Sequence, residues 1–249
     1  MIFTRWSTRL HKWLALIVGV QVLFWVGGGL VMTILPIGRV RSEHRVAEVA
    51  VQPVDPATAL PLAQVIAGSG LNAVAAAELK TGPRGPVWKL TPVDGEPVVL
   101  SATTGRPLPA LDDAEARRLA VRAYQGPGRP VKAEHLAEAP QETGREGPLW
   151  RVDFDDPERT SFYLSPTTGE VVSRRSEVWR FYDLMWRLHT MDWKTGENFN
   201  HPLIIGTAAL TLVITLTGFV LLWVRFVPRR RRKTERRASS DRRQTPDPS

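Results

Sequence analysis

Residues 13–38 read WLALIVGVQVLFWVGGGLVMTILPIG, 26 consecutive positions without a formal charge. A bilayer core of about 30 Å is crossed by about 20 apolar residues rising 1.5 Å each, so this stretch can span it. Residues 198–224, NFNHPLIIGTAALTLVITLTGFVLLWV, can do the same, with His201 the only titratable side chain in the run. Buried helices of soluble proteins rarely run past about 15 residues without polar positions. The first run is also longer than the roughly 7–15 apolar residues of a secretory signal, and no A-x-A site follows, so the expectation is an uncleaved anchor.

Outward from the two runs, charge sets the expected orientation. Arg5, Arg9 and Lys12 precede the first run, and Arg225 with RRRRKTERRASSDRR follows the second. These ends hold 13 of the 33 Lys and Arg and only three acids, Glu235, Asp241 and Asp247, leaving the middle slightly acidic. Basic flanks stay on the cytoplasmic side, so both termini are expected there, with the middle outside a bacterial inner membrane. The basic tail is expected to be disordered and to meet anionic lipid headgroups rather than nucleic acid. The chain has no cysteine. Disulfides, thiolate metal sites, iron–sulfur clusters and covalently attached haem are therefore excluded.

The middle contains one pattern twice. WKLTPVDGEPVVLSATTGRPLP runs from Trp88 to Pro109, and WRVDFDDPERTSFYLSPTTGEVVS from Trp150 to Ser173. Trp88 matches Trp150, and the Leu100-Ser101-x-Thr103-Thr104-Gly105 motif matches Leu164-Ser165-x-Thr167-Thr168-Gly169. Such self-similarity marks one supersecondary unit used twice. Each copy reads as a hairpin, turning at 93–96 and at 155–158, whose last strand is closed by Thr-Thr-Gly. Asp55-Pro56 is expected to open a helix to about residue 67, and the capping box Asp112-x-x-Glu115 a helix to about Tyr124. Residues 73–79 and 131–138 are candidate strands. Each unit is then helix, strand, strand, strand, an α+β module. The acids Asp153, Asp155 and Asp156 read as a solvated hairpin cluster.

These features resemble the PepSY domain, above all the W-[KR]-[LV] hairpin and the YLSPTTGEV ending at 163–171. Arg9-Leu10-His11-Lys12-Trp13-Leu14 is similar to the opening of PepSY-associated transmembrane proteins, and Leu188-His189-Thr190 with Leu216-Thr217-Gly218-Phe219 to their L-H-T…T-G pattern. The first copy departs further, with Ser-Ala-Thr-Thr-Gly and no tyrosine. The expected fold is a membrane protein whose two transmembrane α-helices flank an α+β extracytoplasmic domain of two PepSY-like repeats. Its segments are the N-terminus and first span (1–38), the two repeats (39–110 and 111–175), an interfacial amphipathic helix and linker (176–200), the second span (201–225) and the basic tail (226–249).

Of the five histidines, His11, His44, His189 and His201 sit near the expected membrane boundaries, and His135 lies inside the domain. Boundary histidines can be plain amphipathic interface residues. Longer members of the resembled family include b-haem ferric-siderophore reductases with paired histidine ligands, which implies His11 and His189 here as matching positions. About 26 residues of helix, roughly 39 Å, separate the two ends of a span, so one haem cannot bridge them. An outer site would draw on His44, His189 or His201, and haem b would need a second copy or another subunit. Thr207, Thr211, Thr215 and Gly218, with Gly27–Gly29, offer close helix approach, within the chain or to a partner. Residues 178–193, VWRFYDLMWRLHTMDW, read as an amphipathic helix on the outer headgroups.

No nucleophile–base pair, metalloprotease motif, phosphate-binding loop or dinucleotide fingerprint occurs. The leading expectation is a non-catalytic accessory or interaction subunit of a membrane redox or metal-uptake system, with membrane lipids, other membrane subunits or further copies, and a periplasmic protein as partners. The alternative is a b-type haem electron-transfer subunit serving ferric iron or siderophore reduction; as an enzyme, the chain would be a haem-dependent component of such a reductase.

Overall fold

The computed structural model describes residues 2–47, 53–55, 57–193, 198 and 200–226. Side chains before Lys12, and those of Val220, Leu221, Val224 and Arg225, lie outside that description. Trp25–Asn198 forms one compact unit, while the earlier part of the first helix and the last helix belong to another.

Two helices carry the apolar runs: α1, Ile2–Ile34, and the last helix, Pro202–Phe226. Within them Lys12–Ile34 and Pro202–Phe219 are long and apolar enough to cross a membrane. Pro36 ends α1 at the preceding residues and opens a short helix, α2, Ile37–Val40. The expected start of the next helix at Asp55 is not observed. Asp55 accepts from Ala57 N and caps an isolated turn instead. The helix α3, Leu62–Ser69, begins after Pro61, a residue suited to helix entry, and ends on Gly70 at φ +72°.

Three antiparallel strands follow: β1, Val74–Gly82, β2, Gly85–Pro92, and β3, Val98–Ser101. The core between α3 and this sheet is small, with Val65, Leu90 and Leu100 fully buried. The second helix, α4, Asp113–Ala123, starts where the capping box placed it, with the Asp112 side chain accepting from Glu115 N at 2.7 Å. It covers a four-stranded antiparallel sheet, β4 (Pro130–Leu136), β5 (Leu149–Phe154), β6 (Ser161–Leu164) and β7 (Val171–Arg175). Here the core is larger: Leu111, Ala116, Leu119 and Ala120 meet Trp150, Val152, Phe154, Phe162 and Leu164.

Corresponding residues occupy corresponding registers. Trp88 pairs with Leu100 across β2–β3, and Trp150 with Leu164 across β5–β6. The L-S-x-T-T-G motif is a turn in both places. The serine hydroxyl accepts from the backbone N–H of Thr104 or Thr168, and the glycine N–H returns to the serine carbonyl at 2.8 and 3.0 Å. Gly105 and Gly169 take φ +68° and +71°, which a side chain would oppose. After the second motif the chain does not stop as expected but folds back as β7 along β6. After the first, only a single bridge forms, between Leu100 and Pro107.

The two sheets meet at the tip of the β1–β2 hairpin. Arg84, in the two-residue loop, is nearly buried and forks onto Glu115 of α4 at 2.9 and 3.2 Å. Its Nη1 also donates to the carbonyls of Pro109 and Thr167, so one guanidinium holds a helix, a linker and the second Thr-Thr-Gly turn.

Candidate functional site

The segment leaving the first span is built into the second sheet module. Ser42 takes a left-handed conformation at φ +53°, which turns the chain into a single 3-10 turn, Glu43–Arg45. That turn presents His44 and Arg45, and α2 presents Arg39, to two acids. Arg39 donates to Glu158 Oε1 through Nε at 3.2 Å and Nη2 at 3.1 Å. His44 Nε2 lies 3.2 Å from Glu158 Oε2, and Arg45 Nε lies 3.6 Å from Asp156 and 3.8 Å from Glu158. Val46 bridges to Tyr124, with Ala47 N–H donating to Ala123 carbonyl and Gln125 N–H to Arg45 carbonyl.

Asp156 belongs to the Asp153, Asp155 and Asp156 cluster that was expected to be solvated, and it is not. It is 3% exposed, and its carboxylate accepts from Thr160 N–H, Thr160 hydroxyl (2.7 Å) and Tyr124 hydroxyl (2.8 Å). A hairpin acid stays buried when every lone pair finds a donor, which a composition reading cannot foresee. Burial alone would raise the Asp156 carboxyl. The Thr160 and Tyr124 hydrogen bonds and the Arg45 charge prevail, holding it below the ordinary aspartate range. Burial and the same carboxylate push the Tyr124 phenol up to about 12. Gly128 is required beside them, since a Cβ there would stand 2.8 Å from Asp156 N.

Behind β6 lies a second polar group, which no sequence motif announced. Glu142 accepts from Arg180 Nε at 3.0 Å and from the Tyr163 hydroxyl, while its own carbonyl accepts from Arg175. Burial would raise Glu142, but Arg180 and Tyr163 hold it below the ordinary range. Beside it, Asp153 Oδ1 accepts from Arg151 at 2.8 Å and Ser161 at 2.6 Å. A cavity of about 650 Å³ opens between these groups, lined by both signs of charge. Burial and the Glu142 carboxylate push the Tyr163 phenol up, so at neutral pH the proton of this pair rests on Tyr163.

From this group the helix α5, Glu177–Thr190, runs along α2 to the first span. Ser176 caps it, and it ends on Met191 at φ +56°. A helix was expected over 178–193, and the one found there also packs against α1. The positions of Gly28 and Gly29 on α1 admit it: a Cβ on Gly28 would meet Met185 O, and one on Gly29 would meet His189 Cε1 at 3.9 Å. The apolar glycine run thus seats α5, while Gly27 faces open space.

The candidate histidines are consequently dispersed. His189 Nδ1 lies 3.1 Å from the Trp25 carbonyl, and the two rings are tilted neighbours, with centroids 6.4 Å apart. His44 is engaged by Glu158. His201 precedes the last helix in the other unit, and His11 lies on α1 with its side chain outside the described residues. His135 packs edge-on against Trp150. Among the described residues, no group of three or more His, Asp or Glu could hold a metal ion. A carbonyl on Nδ1 fixes the His189 tautomer and leaves Nε2 able to ligate, whereas His44 Nε2 already faces a carboxylate. Of the candidate histidines His44 and His189, the module would thus offer haem iron His189 and not a pair.

Neither the curated proteins nor the solved structures yield a significant match to the chain. One family model does match, PepSY_TM, the PepSY-associated TM region, over residues 8–247. Nearly the whole sequence lies within that match, the two apolar helices included: the chain is a membrane protein and belongs to the PepSY-associated TM region family.

Proposed function

We propose that the chain presents two PepSY-like units outside a bacterial inner membrane, with both termini cytoplasmic, and acts as a non-catalytic accessory subunit that docks another protein of a membrane redox or metal-uptake system. The matched registers of Trp88 and Trp150 and the twin Thr-Thr-Gly turns support a duplicated unit. Basic flanks and a near-neutral middle support the orientation.

The observation that carries the docking role is β1. It is an edge strand, and Ala75, Ala76, Ala77 and Glu78 are all exposed, so neither sheet face is covered there. An open edge with small side chains and no proline accepts an extended segment by strand addition. Meanwhile Arg39, His44, Arg45 and α5 hold the module against α1, fixing where that edge points. A photo-crosslinking residue at Ala77 in native membranes is expected to give a discrete adduct that the same residue at exposed Arg118 does not. Equal or absent adducts at both positions would count against the reading.

A second reading, the b-haem electron-transfer subunit, is favoured by one contact, the Trp25 carbonyl on His189 Nδ1. His189 would hold the iron through Nε2, and the second imidazole would come from an outer-side histidine such as His201 of another copy, or from another subunit. Haem would supply one-electron transfer; this chain's part is to fix the ring and exclude water around it with Trp25 and α5.

A further inference from the structure

Beside β7, the edge strand of the second sheet, a cavity of about 360 Å³ is lined by Arg41, Arg145, Arg174 and Arg175, together with Thr143 and Gly144. No carboxylate lines it. That separates it from the larger cavity behind β6, where acids and bases alternate. Like charges gather here with little internal compensation. Arg41 has only Glu43, at 3.9 Å and exposed, and among the described residues Arg145 and Arg174 have no carboxylate partner. Arg175 is fixed by the Glu142 and Arg174 carbonyls, with its guanidinium 4.1 Å over the Trp179 ring. Burial lowers its pKa, so an anion nearby would relieve a real cost.

The cavity's place in the chain narrows the anion. Arg41 follows the end of the apolar α1 run at Ile34 by about seven residues, four of them in α2. The polar layer outside a bilayer core is about 5–8 Å deep on each side, and a chain that has just left a span passes through it. On α5, Phe181 and Leu184 are about half exposed, apolar side chains suited to a lipid surface. Guanidinium groups match phosphate oxygens by paired donors. We infer that Arg41, Arg145, Arg174 and Arg175 bind the phosphate of one anionic phospholipid headgroup in the leaflet on the module's side, a site separate from the basic tail.

Full-length protein taken from nanodiscs of phosphatidylcholine alone, or mixed with phosphatidylglycerol, can have its retained lipids counted by native mass spectrometry. The wild type is expected to retain one more phosphatidylglycerol than the Arg145→Ala/Arg174→Ala variant, with the phosphatidylcholine counts equal. Arg117→Ala/Arg118→Ala, an equal charge loss on α4, should behave as wild type. The single Arg145→Glu variant, at an exposed position, repeats the loss without risk to the core. Equal phosphatidylglycerol counts in all variants would overturn the site. Saturable binding of inorganic phosphate in neutral detergent, lost in the double variant while lipid counts stay equal, would assign the site to free phosphate and overturn the lipid.

Discussion

The carbonyl oxygen of Met185, on α5, lies 3.1 Å from the point where a Cβ on Gly28 of α1 would stand, and His189 Cβ lies 3.7 Å from it. A glycine is needed there because another helix's backbone occupies the space. Gly28→Leu should therefore lift α5, costing about 1–3 kcal/mol as an overpacked contact. That lowers the melting temperature by roughly 2–10 °C for a unit of this size. Gly27→Leu, one residue away in open space, should leave the melt unchanged. Equal effects of the two substitutions would show that α5 does not seat on Gly28.

The buried Asp156 carboxylate ties the juxtamembrane turn to the second sheet. Asp156→Ala strands Arg45 and the donors of Thr160 and Tyr124, and should cost about 3 kcal/mol or more. Tyr124→Phe removes two hydrogen bonds, the one donated to Asp156 and the one accepted from Gly128 N–H, and should cost about 1–2 kcal/mol. Urea unfolding followed by tryptophan emission measures both, and a cost for Asp156→Ala below that of Tyr124→Phe would contradict the network.

Acid and alkali should act on different groups. Asp156 and Glu142 titrate lower in the folded chain than in the unfolded one, so their stabilisation is complete above about pH 5. It is lost as the pH falls through their folded values. Tyr124 is shifted the other way: its stabilisation is complete below about pH 10 and is lost as the pH rises through about 12. Melting temperature against pH should show both limbs, the acid one shallower in Asp156→Asn and the alkaline one shallower in Tyr124→Phe. Limbs unchanged by these variants would refute the assignment.

Arg84 should be irreplaceable by another cation. Arg84→Ala removes the fork on Glu115 and two carbonyl contacts, an expected loss of about 2–3 kcal/mol. Arg84→Lys should recover little, because an ammonium cannot reach three elements at once. Full rescue by lysine would mean that charge alone joins the two sheets.

The two functional readings part on colour. If His189 ligates haem, protein from haem-replete cells shows a Soret band and a sharp α band on dithionite reduction, and His189→Ala abolishes both. The accessory reading expects a colourless wild type.

Much of this architecture was legible in the sequence, and the parts that were not share a cause. The capping box at Asp112 and the Thr-Thr-Gly turns were readable because their hydrogen bonds close within a few residues. Asp55-Pro56 misled because Asp55 caps a local turn, and the helix starts only at the apolar run from Leu62, whose α3 packs on Leu90 and Leu100. The Tyr124 and Arg45 contacts of Asp156, the reach of Arg84 to Glu115 and Thr167, and the seating of α5 on Gly28 each join residues more than 30 positions apart. No local pattern records such contacts. The histidines were legible as a set near the boundaries, but their partners Glu158 and Trp25 were not.

The absence of cysteine makes the central claim directly measurable, because single cysteines can be placed without background. A membrane-impermeant maleimide applied to spheroplasts should label Ala77→Cys, and should label Ser240→Cys in the tail only after the membrane is permeabilised. Labelling of Ser240→Cys in sealed spheroplasts, with Ala77→Cys protected, would put the module on the cytoplasmic side and contradict the account.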